Sequence, residues 1–271
     1  MAYLIYNLLI FTVGLFIGSF LNVVIFRLEN KEKIVNDRSR CLHCKHTLSW
    51  LDLIPVLSFL FLKGKCRYCE NKISWQYPIV EIITGILFVV IFNIQYSIFN
   101  QYLIFNIQYL LFWFYIIATF IVIFVYDLKH YIIPDKIIYP AIIIILGFNL
   151  FSNFSAQGEP VLDWQFSNFI FAAFIAGGFF YAIIIITKGK GMGGGDVKLG
   201  FLMGLILGWP LVLVALFLSF ILGSIIGVFL ILVGKKKMKG IIPFGPFLVL
   251  GIFIALFWGE RIVEWYLSLL S

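Results

Sequence analysis

An all-α, polytopic membrane protein is the fold class this sequence predicts, and three observations predict it. Of 271 residues, 62% are hydrophobic and only 12% are charged, against roughly 25% charged in an average globular chain. Mean hydropathy is +1.05. Apolar stretches recur along the chain, most of them near the ~20 residues a helix needs to cross the hydrocarbon. Lipid admits only backbones that satisfy their own hydrogen bonds, so these stretches are helices or strands of a closed barrel. They run too long and do not alternate, which removes the barrel.

Eight candidate spans follow in order. The first, residues 4–26, lacks the basic start and small-residue cleavage pattern of a signal peptide and is too long for one. Residues 27–78 are the only sizeable polar segment. Spans two to five cover residues 79–94, 103–126, 137–151 and 166–187. The sixth, 199–207, is short, and Gly208-Trp209-Pro210 reads as a tight turn into the seventh, 211–233. The eighth covers 244–267. The chain thus divides into a first transmembrane helix (1–26), a four-cysteine loop domain (27–78) and a membrane domain (79–271). Gly14-x-x-x-Gly18, Gly200-x-x-x-Gly204-x-x-x-Gly208 and Gly223-x-x-x-Gly227 suit close helix–helix contacts. Glu81, just inside span two, faces the bundle interior or snorkels to the interface.

Orientation follows from the basic residues. With eight spans, 19 of the 20 Lys and Arg fall on one side, and only Arg261 falls on the other. They lie between Arg27 and Lys72, at Lys129 and Lys136, at Lys188, Lys190 and Lys198, and at Lys235, Lys236, Lys237 and Lys239. The positive-inside rule makes that side cytoplasmic. Both termini and the loops 95–102 and 153–165 then face outward. The net charge of +7 therefore concerns topology and anionic lipid. No aromatic-basic recognition module is visible, so no nucleic-acid partner is expected.

The 27–78 loop holds all four cysteines, as Cys41-Leu-His-Cys44 and Cys66-Arg-Tyr-Cys69. A segment of this size needs a staple. Two Cys-x-x-Cys pairs 21 residues apart read as a four-thiolate zinc site, slightly beyond the usual gap of roughly 15–20. Such a site is closed and structural. The alternatives are two disulfides or four free thiols, and a cytoplasmic placement argues against disulfides. His43, inside the first pair, and His46, just after it, are substitute ligands or solvated side chains. Between the pairs, residues 51–62 are apolar but too short to span. They lie in the interface or pack over the bundle.

Two aspartates stand where an apolar run meets a polar loop. Asp127 opens Asp127-Leu-Lys-His-Tyr-Ile-Ile-Pro134-Asp135, and Asp196 closes Gly193-Gly194-Gly195-Asp196. Carboxylates at a membrane boundary are costly to keep. Two on the same side, from separate spans, can share a proton and activate a water. The plainer alternative is a helix cap or a lysine pair for each. Lys129 and Lys198 would favour the ionised form of a nearby carboxylate and desolvation would oppose it. Asp135, beside a helix start, reads as a cap. Gly191 and the following glycines suit close approach of a peptide backbone, or simply a flexible connection.

Taken together, these motifs resemble the type IV prepilin peptidases, membrane aspartic proteases of the GxGD type. The resemblance rests on Gly18-Ser-Phe-Leu-Asn-Val-Val-Ile-Phe-Arg27, Cys41-x-x-Cys44, Asp52-Leu-Ile-Pro-Val, Gly64-Lys-Cys-Arg-Tyr-Cys69, Ile73-Ser and Tyr77-Pro-Ile-Val-Glu81. It continues through Asp127 to Asp135, Gly191-Met-Gly-Gly-Gly-Asp-Val-Lys-Leu-Gly200 and Ile242-Pro-Phe-Gly-Pro-Phe247. It implies removal of a short basic leader from prepilin-like substrates at the cytoplasmic face of a bacterial inner membrane, with Asp127 and Asp196 as catalytic pair. It implies zinc on Cys41, Cys44, Cys66 and Cys69. It also implies N-methylation of the new terminus from S-adenosylmethionine, for which no residues are assigned and no glycine-rich nucleotide unit is visible. Leu42 stands where a proline is common in the family, and no acidic patch for a basic leader is evident. A proton-coupled transporter would place its carboxylates nearer the midplane, and a zinc-bearing scaffold would need no carboxylate pair.

Overall fold

The computed structural model describes residues 2–33, 38–98, 103–152, 164–189, 191–234 and 242–269. Among these, regular structure is helical, with two isolated β-bridges and no strand. Lys190, the cluster Lys235, Lys236, Lys237 and Lys239, and most of the two outer loops lie outside the described residues.

The eight expected spans correspond to eight long helices: α1 (Ala2–Glu29), α3 (Gln76–Ile98), α4 (Leu103–His130), α5 (Asp135–Ser152), α6 (Trp164–Thr187), α7 (Gly194–Leu207), α8 (Leu211–Leu232) and α9 (Gly245–Ser268). Among the described residues, six are long and apolar enough to cross a membrane, all but α5 and α7. α5 has 18 residues with Pro140 inside it, and α7 has only 14. The polar segment adds a 3₁₀ turn (Trp50–Leu53) and the short α2 (Leu57–Phe61). The chain separates into two compact units, 1–122 and 123–271.

In the first unit α1 packs along α3. The small-residue motif explains how. A Cβ on Gly14 would stand 2.6 Å from the Gly85 Cα, and one on Gly18 would stand 2.7 Å from the Glu81 Cα. Backbones this close gain dispersion and lose nothing to lipid competition. Phe88 of α3 stacks on Phe114 of α4 at 3.9 Å between centroids. Segment 51–62 turns Phe59 inward against Trp75 and leaves Phe61 exposed.

In the second unit α7 lies against α6, α5 and α9. Gly200 faces Phe180 and Ala176 of α6, and Gly204 faces the backbone of Ala172 and Ala173. Those three alanines are fully buried. Asn149 of α5 donates to the Leu205 carbonyl at 2.9 Å. Gly251 of α9 sits against Ala215 and Ser219 of α8, whereas Gly223 and Gly227 make only ordinary contacts. The 208–210 turn is as expected, and Asn168 secures it. Its amide accepts from the Trp209 N–H at 2.9 Å and donates to the Trp209 carbonyl at 3.0 Å.

Candidate active site and metal centre

Asp127 occupies the last turn of α4 and is 4% exposed. Its Oδ2 accepts the Gly245 N–H at 2.9 Å. Gly245 opens α9, with a proline next to it. The first N–H groups of a helix have no partner within it, and here one of them holds a carboxylate. The positive end of the helix dipole adds to that hold.

Asp196 lies in the first turn of α7, half-buried. Its Oδ2 accepts the Gly193 N–H at 3.1 Å, while its own N–H donates to the Gly193 carbonyl at 3.1 Å. Each carboxylate therefore sits at a helix N-terminus: Asp196 at its own, Asp127 at that of α9. The charge of Asp127 acts on Asp196, so the structure brings the two within electrostatic reach. Ile133, in the α4–α5 connection, is 5% exposed, and a Cβ on Gly195 would come within 3.0 Å of it. This contact seats the start of α7 on the loop that follows Asp127.

Lys198 serves neither aspartate. Its ammonium pairs with Asp135 at 2.5 Å and lies 4.8 Å from the centre of the Tyr139 ring. Asp135 is the first residue of α5, so the pair ties α5 to α7. Lys129 is exposed.

The four cysteines converge in the first unit. Their sulfurs lie within 4.8 Å of one another, with Cys41 and Cys69 3.8 Å apart. Four sulfurs around a zinc at about 2.3 Å would be spaced by about 3.8 Å. The knuckles are near-copies. The Cys41 N–H donates to the His46 carbonyl at 2.9 Å, and the Cys66 N–H donates to the Asn71 carbonyl at 2.8 Å. Lys45 and Glu70, each following the second cysteine of its pair, adopt φ of 61° and 59°. Bridges Arg40–Thr47 and Lys65–Lys72 close the two hairpins.

Burial pushes the Cys41 thiol up, but the backbone N–H groups of Cys44 and His43 and the neighbouring sulfurs outweigh it and bring it down to about 7. At Cys69 the Asn71 N–H favours the thiolate, yet burial and the other three sulfurs push it up to about 11. Thiols this crowded do not all ionise without a cation among them, which is what a tetrathiolate metal site supplies. His46 stacks on Tyr68 at 3.7 Å between centroids, and the metal-sized group contains cysteines alone.

Asp52 braces the second knuckle. It accepts the Ser49 N–H at 3.0 Å and the Ser49 hydroxyl at 2.8 Å. Arg67 reaches it at 2.8 Å and Tyr68 at 3.1 Å. Sequence places Gly245 inside the Ile242-Pro-Phe-Gly-Pro-Phe247 motif but gives it no role, and it gives none to Ser49. The Gly-Pro pair that starts α9 was the available signal for the first, since it exposes an N–H at a helix start.

A helical membrane protein with two carboxyl groups held at helix N-termini and a four-cysteine cluster of metal-binding size is the class these features define. The chain belongs to the type IV leader peptidase family. That family matches residues 110–228, and the bacterial peptidase A24 N-terminal domain matches residues 12–95. The prepilin leader peptidase/N-methyltransferase of Aeromonas salmonicida (strain A449) is 33% identical over 288 residues, covering 97% of this chain and 94% of that one. The protein of the same name from Bacillus subtilis (strain 168) is 31% identical over 266 residues, covering 96% and 98%. That of Legionella pneumophila is 33% identical, covering 94% and 93%. No solved structure matches the chain.

Proposed function

We propose that this protein is a bifunctional prepilin leader peptidase and N-methyltransferase of the bacterial inner membrane, and that Asp127 and Asp196 form its hydrolytic pair. The observation that carries the proteolytic reading is the pair of carboxylates, each held by a backbone N–H at a helix start and coupled through their charges. One aspartate, ionised, takes a proton from water as the water oxygen bonds to the scissile carbonyl carbon. The other, protonated, hydrogen-bonds the carbonyl oxygen as charge develops there. Collapse of the tetrahedral intermediate breaks the C–N bond, and a proton passes to the leaving amine. The roles belong to the pair, because coupled groups titrate together.

The cytoplasmic face is the proposed site of cleavage, on the strength of the 19-to-1 division of basic residues. Cys41, Cys44, Cys66 and Cys69 would hold zinc, which when bound supplies a tetrahedral cross-link for the loop. We read 1–26 as a membrane anchor, 27–78 as the metal-bearing domain and 79–271 as the peptidase domain. The substrates are prepilin-like chains whose basic leader precedes an apolar helix, with S-adenosylmethionine as methyl donor.

Asp127→Asn and Asp196→Asn, each purified in detergent and given a prepilin, are expected to lose cleavage by roughly 10²–10⁴-fold or more while keeping the helical circular dichroism of the parent. Cleavage at the parental rate by either variant would remove that residue from the pair.

A further inference from the structure

Residues 50–61, between the two cysteine pairs, take no part in the carboxylate pair and supply no metal ligand. The segment carries no Lys or Arg, and its one acid, Asp52, is bonded by Ser49, Arg67 and Tyr68. Six of its twelve residues are large, apolar and exposed: Trp50, Leu51, Leu53, Leu57, Leu60 and Phe61, the last to 83%. Leu57, Leu60 and Phe61 stand at i, i+3 and i+4 on α2, which places them on one face. Pro55 and Phe59 are buried. So much exposed apolar surface marks a contact with something other than water.

The depth of the segment says what that contact is. The apolar span of α3 runs from Gln76 to Gln95, 20 residues, which rise about 30 Å and match the hydrocarbon thickness. Gln76 therefore stands at one boundary, and Glu81 about 7–8 Å inside it. The Val56 N–H donates to Glu81 Oε2 at 2.8 Å, and Phe59 packs on Trp75 at 4.9 Å between ring centroids. The turn into α2 is thereby pinned beside the first turns of a spanning helix, not held above it in water. Val56 keeps φ 60° and ψ −49° there. Valine avoids that conformation, which persists only where surrounding structure enforces it. The flanks suit the same level. Trp50 and Trp75 are exposed, as aromatic residues of a membrane interface are. Lys63 and Lys65 follow α2 and are exposed, where anionic headgroups attract them.

We propose that residues 50–61 form a wedge seated in the bilayer leaflet on the cysteine-domain side. Leu57, Leu60 and Phe61 lie among acyl chains, Trp50 and Trp75 at the glycerol level, and Lys63 and Lys65 against lipid phosphates. The occupant of this face is phospholipid, with an anionic fraction preferred. The cysteine domain is thus held at the membrane by the wedge as well as by the ends of α1 and α3. This placement does not rest on the proposed activities.

The test uses the full-length, metal-loaded protein in nanodiscs of phosphatidylethanolamine and phosphatidylglycerol. One phospholipid probe carries a diazirine in the upper acyl chain, and another carries it on the headgroup. After ultraviolet cross-linking and peptide mapping, the acyl probe is expected to label residues 57–61 along with α1 and α3, and the headgroup probe residues 63–65. In a Leu57→Gln, Leu60→Gln, Phe61→Gln triple variant of unchanged metal content, the acyl label on α2 is expected to vanish while that on α1 and α3 stays. The parent's labelling decides the matter if the variant does not fold. Acyl label on α1 and α3 with none between residues 50 and 61 overturns the inference. A folded variant labelled on α2 like the parent also overturns it, because nearness to the spans, and not these side chains, would then set the contact. Cross-links from residues 57–61 to a second copy of the chain in place of lipid overturn it too, and make the face a protein interface.

Discussion

At Gly245 a side chain has nowhere to go. A Cβ there would stand 2.6 Å from Asp127 Oδ2, so Gly245→Ala forces the carboxylate away from the N–H that holds it. Small displacements of catalytic groups are expensive, and we expect kcat for leader cleavage to fall by about 10–100-fold in a folded protein. Gly194 is the counterpart: a Cβ there meets nothing within 4 Å, and alanine favours the helix by about 0.5–1 kcal/mol. Gly194→Ala should therefore keep or raise the melting temperature. A cleavage defect in that variant would report on approach of the substrate backbone, not on folding. Asp52 gives a pH-dependent expectation. Burial alone would raise its carboxyl, but the hydrogen bonds from Ser49 and Tyr68 and the charge of Arg67 hold it below its ordinary value. Its stabilising contribution is complete above the unfolded value of about 3.9 and disappears as pH falls through the lower folded value. Asp52→Asn should lose about 1–3 kcal/mol at neutral pH, and its melting temperature should depend less on pH below about 5 than that of the parent.

The elements that position these residues divide into those a sequence announces and those it conceals. Cysteine spacing announced the metal-sized cluster, because two short pairs have few ways to use four thiols. It could not announce that the two knuckles are near-copies, since the shared feature is backbone conformation at Lys45 and Glu70, residues of opposite charge. Their left-handed φ makes a test: Lys45→Gly and Glu70→Gly should each be neutral or stabilising by up to about 1 kcal/mol, whereas β-branched replacements should weaken metal retention. The parent should carry one zinc per chain by mass spectrometry, and a chelator should expose all four thiols to a colorimetric reagent. Glycine spacing announced α1 on α3 and α6 on α7. It overstated Gly223 and Gly227, where the close approach on α8 is made instead by Ala215 and Ser219 against Gly251. Small residues of either kind allow that approach, and only the fold says which are used.

For the whole molecule, hydropathy was sufficient to read the class and the order of the long helices, because lipid leaves a chain so few options. It was insufficient for the bonds that join polar groups distant in the chain. Of the two places sequence allows Glu81, the interior is the one found: it is buried, and its Oε2 accepts the N–H of Val56, 25 residues away. The Gly245 N–H on Asp127 was hidden for the same reason, with 118 residues between them. Orientation remains a statement about charge, and it has a direct check. Alkaline phosphatase fused after Ser271 should be active outside the inner membrane, and the same reporter inserted near Lys65 should be inactive. The reverse pattern would invert the topology.

The brevity of α7 carries a consequence for the bilayer itself. Fourteen residues rise about 21 Å, against hydrocarbon some 30 Å thick. A helix of that rise does not cross the hydrocarbon by itself, so the polar groups at its short end are met by neighbouring helices or by water. The helix that presents Asp196 is sheltered along its length by protein, with Leu199, Leu202, Met203 and Leu205 fully buried. Water that reaches that end is also what a hydrolase embedded in oil requires.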